Sequence, residues 1–290
     1  MSAVNTPLTR QHIPTGHPRV VGRRFDLHVH TNRSDGRYSP EDVIERCFEG
    51  GLDVIAITDH DLATPLATGR YVRGDREMTV IGGAEISGQH EGEEFHLLVY
   101  FPNAIPHPFR EFCQAQARAR ADRFRVAADN LSLPESIYPG EQALRGDQAL
   151  TRHHLARHLV EHGHARDLRD AFSRYIAHSH GNVPSIQLPF VEAIREARVH
   201  GGVTSWAHPP TRPLHRYLDT FVRAGLQGLE GYRPRMSAKQ RKAVRSRARQ
   251  RGLFITGGSD WHGWREPRPG LFWVERHDLS GFLNALEAAA

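Results

Sequence analysis

The sequence predicts an α/β fold whose sheet closes into a barrel-like wall, and three observations predict it. Short apolar segments alternate with helical ones along most of the chain, which argues for a parallel sheet covered by helices. Seven segments read as strands, too many for a small sandwich and suited to a closed sheet. Polar residues able to hold a metal stand at the ends of nearly all of them, where α/β sheets and barrels gather functional groups. A chain of 290 residues is long enough for one such domain with an insert.

Residues 1–22 are spotted with prolines and histidines, show no period, and read as an extended N-terminal arm. From Arg24 the pattern alternates. Phe25, Leu27 and Val29 share one face and Asp26, His28 and His30 the other, giving a strand with a polar side. Ser39 then caps a helix, with Pro40 in its first turn and Asp42 as the acidic third position. Val43, Ile44, Cys47 and Phe48 form its apolar side, and Gly50-Gly51 ends it. Val54-Ile55-Ala56-Ile57 is a continuous apolar run, as a strand covered on both faces requires, and it leads into Thr58-Asp59-His60-Asp61. Thr79 to Ser87 and Phe95 to Phe101 give the third and fourth strands. Three more follow at Gly202–Ala207, Leu226–Glu230 and Leu253–Gly257, with helices over Phe190–His200 and Ser237–Arg251.

Between residues 103 and 183 the rhythm breaks. Phe109 to Leu131 reads as one long helix, and Gly146 to Ile176 as two or three shorter ones. This stretch is assigned to a helical insertion domain, which leaves 23–102 and 184–290 for the barrel.

Composition narrows the function. Hydrophobic residues make up 39% and charged residues 24%, values of a globular chain rather than a disordered or fibrous one. No apolar run approaches the ~20 residues of a membrane span. The first twenty residues lack a secretory apolar region, and Cys47 and Cys113 form no motif, so a reducing, cytoplasmic setting is expected. No nucleophile elbow, phosphate-cradling glycine loop or dinucleotide fingerprint is present. The formal charge is +5, and all but two of the 38 basic residues are arginine. Arginine's bidentate grip on anions suggests nucleic acid; a bias of overall composition explains the same count. The run from Arg241 to Arg249 reads as the exposed side of a helix, while Arg118, Arg120, Arg123 and Arg125 on the insert sit nearer the expected mouth.

The 20 histidines separate by position. The first strand offers His28 and His30, with Asp35 in the loop after it. His60 follows the second, Glu85 ends the third, the fourth carries His96, His208 follows the fifth, and Asp260 and His262 follow the seventh. Imidazole and carboxylate suit first-row divalent ions. Each residue alone is a weak signal; their coincidence at strand ends that should converge is the strong one. The sixth strand ends in Glu230, read as structural support, and His153, His158, His162 and His164 read as a solvated helix face.

These motifs carry a resemblance. His28-Val29-His30-Thr31, Ser34-Asp35-Gly36, Ile57-Thr58-Asp59-His60, Gly83-Ala84-Glu85-Ile86-Ser87, Phe95-His96-Leu97, Ala207-His208-Pro209 and Gly258-Ser259-Asp260-Trp261-His262 stand in the order of the PHP (polymerase and histidinol phosphatase) family. The resemblance spans residues 25–263 and implies a distorted (β/α)7 barrel with up to three divalent ions, Mn, Fe or Zn. It places the first on His28, His30, Glu85 and Asp260, the second on Glu85, His96 and His208, and the third on Asp35, His60 and His262. Such ions outweigh the three ligand carboxylates and a bound hydroxide by about +2, a charge suited to one phosphate dianion. The insert resembles the branch of nucleotide phosphatases whose insert carries a Gly-Arg-Pro-His-like stretch. Here it reads Thr151-Arg152-His153-His154, so Arg152 and His154 match while Thr151 and His153 depart. Arg152, His154 and, after His208-Pro209, Arg212 are the substrate-binding candidates. The function implied is metal-dependent hydrolysis of a phosphate monoester of a small metabolite, a nucleotide of AMP or 3′,5′-bisphosphate type, with no membrane and no obligate protein partner. The alternatives are a phosphodiesterase, acting as a 5′-to-3′ exonuclease on short RNA or on a cyclic phosphate, and a non-catalytic metal- or nucleotide-binding module.

Overall fold

The computed structural model describes residues 7–11, 20, 22–65, 68–264 and 268–290. Its frame is one mixed sheet built from β1 (Thr9–Gln11), β2 (Arg24–Val29), β3 (Val54–Ile57), β4 (Gly69–Arg73), β5 (Arg76–His90), β6 (Glu93–Phe101), β7 (Val203–Trp206), β8 (Gly228–Tyr232), β9 (Phe254–Gly257) and β10 (Val274–Glu275). The strands run in the order β10-β2-β3-β5-β6-β7-β8-β9, with β4 on β5 and β1 on β4. Beyond β9 the chain returns to β2. Asp260 N donates to His28 O (2.9 Å) and His30 N to Trp261 O (3.0 Å), so the wall nearly closes, as the segment count predicts.

The all-parallel expectation holds for β2–β3, β3–β5, β7–β8 and β8–β9 and needs correction at β6. Only Glu91-Gly92 joins β5 to β6, with φ of 49° and 79°. A two-residue link closes a hairpin and leaves no room for a crossover helix, so β6 runs antiparallel to both neighbours. The reversal brings the start of β6, rather than its end, to the mouth where β2 and β3 finish, and His96 lies at that start.

The sequence reading also missed β4 and β10. Both are short strands without an apolar run, β10 at one edge and β4 between β5 and the N-terminal β1. Thr9–Gln11 of the N-terminal arm pairs antiparallel with β4, so this part of the arm is a tied sheet edge; residues 1–6, 12–19 and 21 of the arm lie outside the described residues.

Helices cover the wall. α1 (Pro40–Glu49) is capped as expected, Ser39 Oγ accepting from Asp42 N (3.1 Å). Between β6 and β7 come α2 (His107–Asn130), α3 (Glu141–Arg145), α4 (Arg152–Glu161), α5 (Leu168–Ala171) with a wide turn over Phe172–Ile176, and α6 (Phe190–Val199). After β7 come α7 (Thr211–Ala224), α8 (Ala238–Gln250) and α9 (Ser280–Ala288). Phe95, Phe190, Trp206 and Phe221 pack one side of the sheet, and Phe25, Leu27, Tyr100 and Phe282 another. The helices from α2 to α5 gather a cluster of their own around Phe124, Leu155, Leu159 and Ile176.

The sequence places four α2 arginines near the mouth, and the structure commits two of them to the protein itself. Arg120 is buried in an ion pair with Asp61 and donates to Ser87 Oγ (2.6 Å). Arg123 reaches Glu94 Oε2 (3.3 Å) and Pro184 O. A helix docked by buried arginines spends them on the barrel rather than on a ligand. No helix among the described residues is long and apolar enough to cross a membrane.

Candidate active site

The alternation of β2 sends His28 and His30 to the same side, both wholly buried, with ring centroids 5.1 Å apart. His60 follows β3 and bridges to Glu85 in β5. In the β5–β6 register Ser87 lies opposite His96, so Glu85 and His96 are diagonal neighbours on one face. The turns after β7 and β9 bring in His208, Asp260 and His262, and the loop after β2 brings in Asp35. All the metal-ligating candidates of the sequence therefore converge.

Glu85 lies at the centre. Its Oε2 is 3.3 Å from His28 Nε2, 3.3 Å from His30 Nε2 and 3.1 Å from His60 Nδ1. Its Oε1 is 3.1 Å from His96 Nδ1 and 3.0 Å from His208 Nε2. Asp260 Oδ1 lies 3.4 Å and 3.2 Å from Nε2 of His28 and His30. Asp35 lies 3.2 Å from His262 Nε2 and 3.8 Å from His60 Nε2. Three sets of donor atoms come within 4.8 Å of one another: His28, His30 and Asp260; His60, Glu85 and His96; and His30, Asp35, His60 and His262. His30 and His60 thus stand on the borders between sets that the family pattern keeps apart.

The donor set fits divalent metal ions. His28 Nε2, both ring nitrogens of His30, His60 Nδ1, Asp35 Oδ1 and Glu85 Oε2 are buried without a hydrogen-bond partner among the described residues. A buried polar atom left unpaired costs about 1–3 kcal/mol, and here such atoms crowd one place with lone pairs aimed inward. Burial drives the His30 ring toward neutrality, but the Asp260 and Glu85 carboxylates beside its Nε2 (3.2 and 3.3 Å) more than offset it and push its pKa up to about 10. His96 is pushed up to about 9 against burial by Glu85 and Glu94. His60 goes the other way, held neutral by burial. Burial would raise Glu85 and Asp260, yet His28 and the neighbouring rings hold both well below the usual carboxylate range. The carboxylates that favour protons on these rings equally favour divalent ions in their place.

Further carboxylates orient the histidines. Buried Glu230 accepts from His28 Nδ1 (2.9 Å) and from His208 N (2.7 Å), which turns His28 Nε2 to the cluster, the supporting role its sequence position suggests. Glu94 lies 3.3 Å from His96 Nε2 and so turns Nδ1 toward Glu85. Asp59 accepts from Thr31 N (2.8 Å), Thr31 Oγ1 (2.6 Å) and Ser34 Oγ (2.6 Å), which shapes the loop that carries Asp35. Trp264 Nε1 donates to Asp35 O (2.6 Å) from the other side. Glu94, Asp59 and Trp264 are contributions that the sequence reading did not assign. Glu94→Gln should lower metal affinity about 10- to 100-fold while leaving the fold intact, as for other partners of metal-bound imidazoles; metal titration of the purified variant checks this.

Backbone strain marks the same place. Asp61, His208 and Asp260 hold left-handed φ of 48°, 32° and 56°, conformations of order 1–3 kcal/mol above the ordinary ones for side-chain-bearing residues. Gly258 lets the last turn approach β2: a Cβ there would lie 2.3 Å from His28 Cβ and 2.5 Å from its N. Gly258→Ala should therefore displace His28 and reduce bound metal and turnover together, by at least about tenfold and up to the ~100-fold that a 1 Å misplacement can cost. Elemental analysis beside a rate measurement checks both.

The substrate-side candidates separate. Arg152 opens α4 with Nη2 3.5 Å from Glu94 Oε1, next to His96. His154 caps the same helix, its Nδ1 accepting from Thr151 N (3.1 Å), and burial pulls it down to about 4. Arg212 is exposed on the first turn of α7. A cleft of about 540 Å³ opens from Asp35, Asp260 and His262 outward between the insert and the loops after β8 and β9, with Arg169, Phe172 and Arg235 on its walls. The Arg241–Arg249 run lines a different groove, which none of the metal-ligating candidates touches.

A nearly closed α/β barrel with converging imidazoles and carboxylates at its mouth is the frame of a metal-dependent hydrolase. The chain belongs to the PHP family: the PHP domain profile matches residues 26–180. It is 33% identical over 263 residues to the 5′-3′ exoribonuclease Rnm of Escherichia coli K12, covering 87% of each chain. It is 27% identical over 247 residues to a 3′,5′-nucleoside bisphosphate phosphatase of Chromobacterium violaceum, covering 82% of this chain and 87% of that one. The fold matches a Bifidobacterium adolescentis protein assigned as a metal-dependent phosphoesterase with a TM-score of 0.71 at 24% identity, over 90% of this chain and 96% of that one. The protein is thus a metal-dependent phosphoesterase of the PHP family, a hydrolase of phosphoester bonds.

Proposed function

We propose that His28, His30, Asp35, His60, Glu85, His96, His208, Asp260 and His262 hold up to three divalent ions, and that the enzyme hydrolyses a phosphate ester of a nucleotide. The observation that carries this is Glu85, whose two oxygens lie within 3.3 Å of five imidazoles, several of whose inward-facing nitrogens are unpartnered. When bound, Mn, Fe or Zn would supply hydroxide at neutral pH and positive charge for the phosphoryl oxygens. The chain's part is placement. Glu230 and Glu94 fix two imidazoles, the closed wall keeps bulk water from the buried face, and Arg152 is positioned to exchange Glu94 for a substrate phosphate. The 540 Å³ cleft takes the nucleoside, and residues 103–183 act as the lobe that closes over it.

The test is phosphate release by protein loaded with Mn, Fe or Zn from AMP, a 3′,5′-bisphosphorylated nucleoside and a sugar phosphate. Release from a nucleotide supports the proposal, and no release with any metal overturns it. A second reading, 5′-end trimming of short RNA, is favoured by the 33% identity to an exoribonuclease. Mononucleotide appearing stepwise from a 5′-phosphorylated tetranucleotide would identify that activity.

A further inference from the structure

A groove of about 1160 Å³ lies away from the metal-ligating candidates, between α8 and α9. Arg241, Lys242, Arg245, Arg249 and Arg251 line it over an apolar floor that includes Leu253 and Phe254, and among the described residues Asp278 is the acid facing them. Arg251 is taken by Asp219 (2.6 Å), and Arg245 lies 3.8 Å from Asp278. Among the described residues, Arg241, Lys242 and Arg249 are exposed and have no acidic partner.

Folding does not ask for this arrangement. The sequence of α8, AKQRKAVRSRARQ, contains no acidic residue. Arg241, Arg245 and Arg249 repeat at i, i+4 and i+8, where like charges repel. Lys239, Arg241 and Lys242 crowd the first turns, where the helix dipole disfavours cations. A general bias toward arginine does not explain the helix either, because the chain's only two lysines, Lys239 and Lys242, both lie on it. A stripe that weakens its own helix fits a demand from outside.

The stripe also has a spacing. Four helical residues advance about 6 Å along the axis, close to the phosphate-to-phosphate step of an extended single strand. Three arginines in a concave groove therefore meet three successive phosphates, while the apolar floor remains for bases or sugars. A membrane surface would need a protruding apolar face, and this one is recessed between two helices.

We propose that the α8–α9 groove binds single-stranded RNA along its phosphate backbone, at a site separate from the metal centre. The test uses full-length, metal-loaded protein and a fluorescent 12-nucleotide phosphorothioate RNA that resists hydrolysis. The measurement is anisotropy across a salt series, with Arg241→Gln/Arg245→Gln/Arg249→Gln beside the native chain. The substitutions should weaken binding at least tenfold and flatten the slope of log K against log salt by about 2, roughly 0.7 per lost phosphate contact. An unchanged affinity and slope overturns the proposal, as does a native protein that does not bind the strand. Loss of binding to phosphatidylserine vesicles with RNA binding intact would assign the stripe to a membrane and overturn it equally. Circular dichroism confirms that the variant is folded, and the solvent-facing position of these side chains makes that the expected result.

Discussion

Replacing Glu85 by Gln is expected to abolish measurable phosphate release and to leave the protein with far less bound metal. The substitution keeps volume and shape, so the packing of β5 against β3 and β6 stays. What changes is the charge at the point where His28, His30, His60, His96 and His208 converge. An amide offers one weaker acceptor, and its NH₂ group faces ring nitrogens that should point lone pairs inward. A bridging charge of this kind contributes several kcal/mol to transition-state stabilisation, so the expected loss is at least about 10³ in rate. Metal content by elemental analysis and turnover should fall together, while circular dichroism stays native. A variant that keeps its full metal complement and acts within about tenfold of the native rate would remove Glu85 from the centre.

That centre was legible because its residues announce themselves in the chain. The alternation of β2 states that His28 and His30 face one way, and apolar runs ending in His60 or Asp260 state where a sheet should present them. Register was harder. The antiparallel course of β6 is encoded in Glu91-Gly92, a two-residue link that a reading focused on strand ends passes over. Had β6 run parallel, His96 would lie far from Glu85. Its place in the cluster follows from the hairpin, which sets Ser87 opposite it.

The supporting carboxylates were less legible for a physical reason. Glu94 looks in sequence like any surface acid and Asp59 stands in the Ile57-Thr58-Asp59-His60 motif with no role of its own, and only the folded register shows one beneath His96 and the other beneath the Asp35 loop. Glu230 was identifiable because it closes the apolar run from Leu226, although β8 itself extends to Tyr232. Arg120 left a trace: Ala117, Ala121, Phe124 and Ala128 mark the inner stripe of α2, and Arg120 falls within it. A charged residue on an apolar stripe announces a buried partner, but not which one.

Arg120→Met is expected to cost a large share of the stability although it lies outside the metal centre. Arg120 is 7% exposed and Asp61 3%. The guanidinium pairs with Asp61 and donates to Ser87 Oγ (2.6 Å), while Asp61 Oδ1 accepts from Ser87 N (2.8 Å). Methionine fills the space of the side chain but leaves a buried carboxylate without its cation. Breaking a buried pair from one side costs about 3–5 kcal/mol, which for a domain of this size lowers the melting temperature by roughly 6–10 °C. The damage should also reach the chemistry, because Asp61 N donates to Glu85 O (2.9 Å) and Asp61 follows His60 directly. Asp61→Asn in the same chain removes the stranded charge and keeps the acceptor for Ser87 N, so the double variant should melt higher than Arg120→Met alone. If the double variant melts lower, or if Arg120→Met shifts the melting temperature by less than about 2 °C, the insert is held to the barrel by its apolar contacts and the ion pair is incidental.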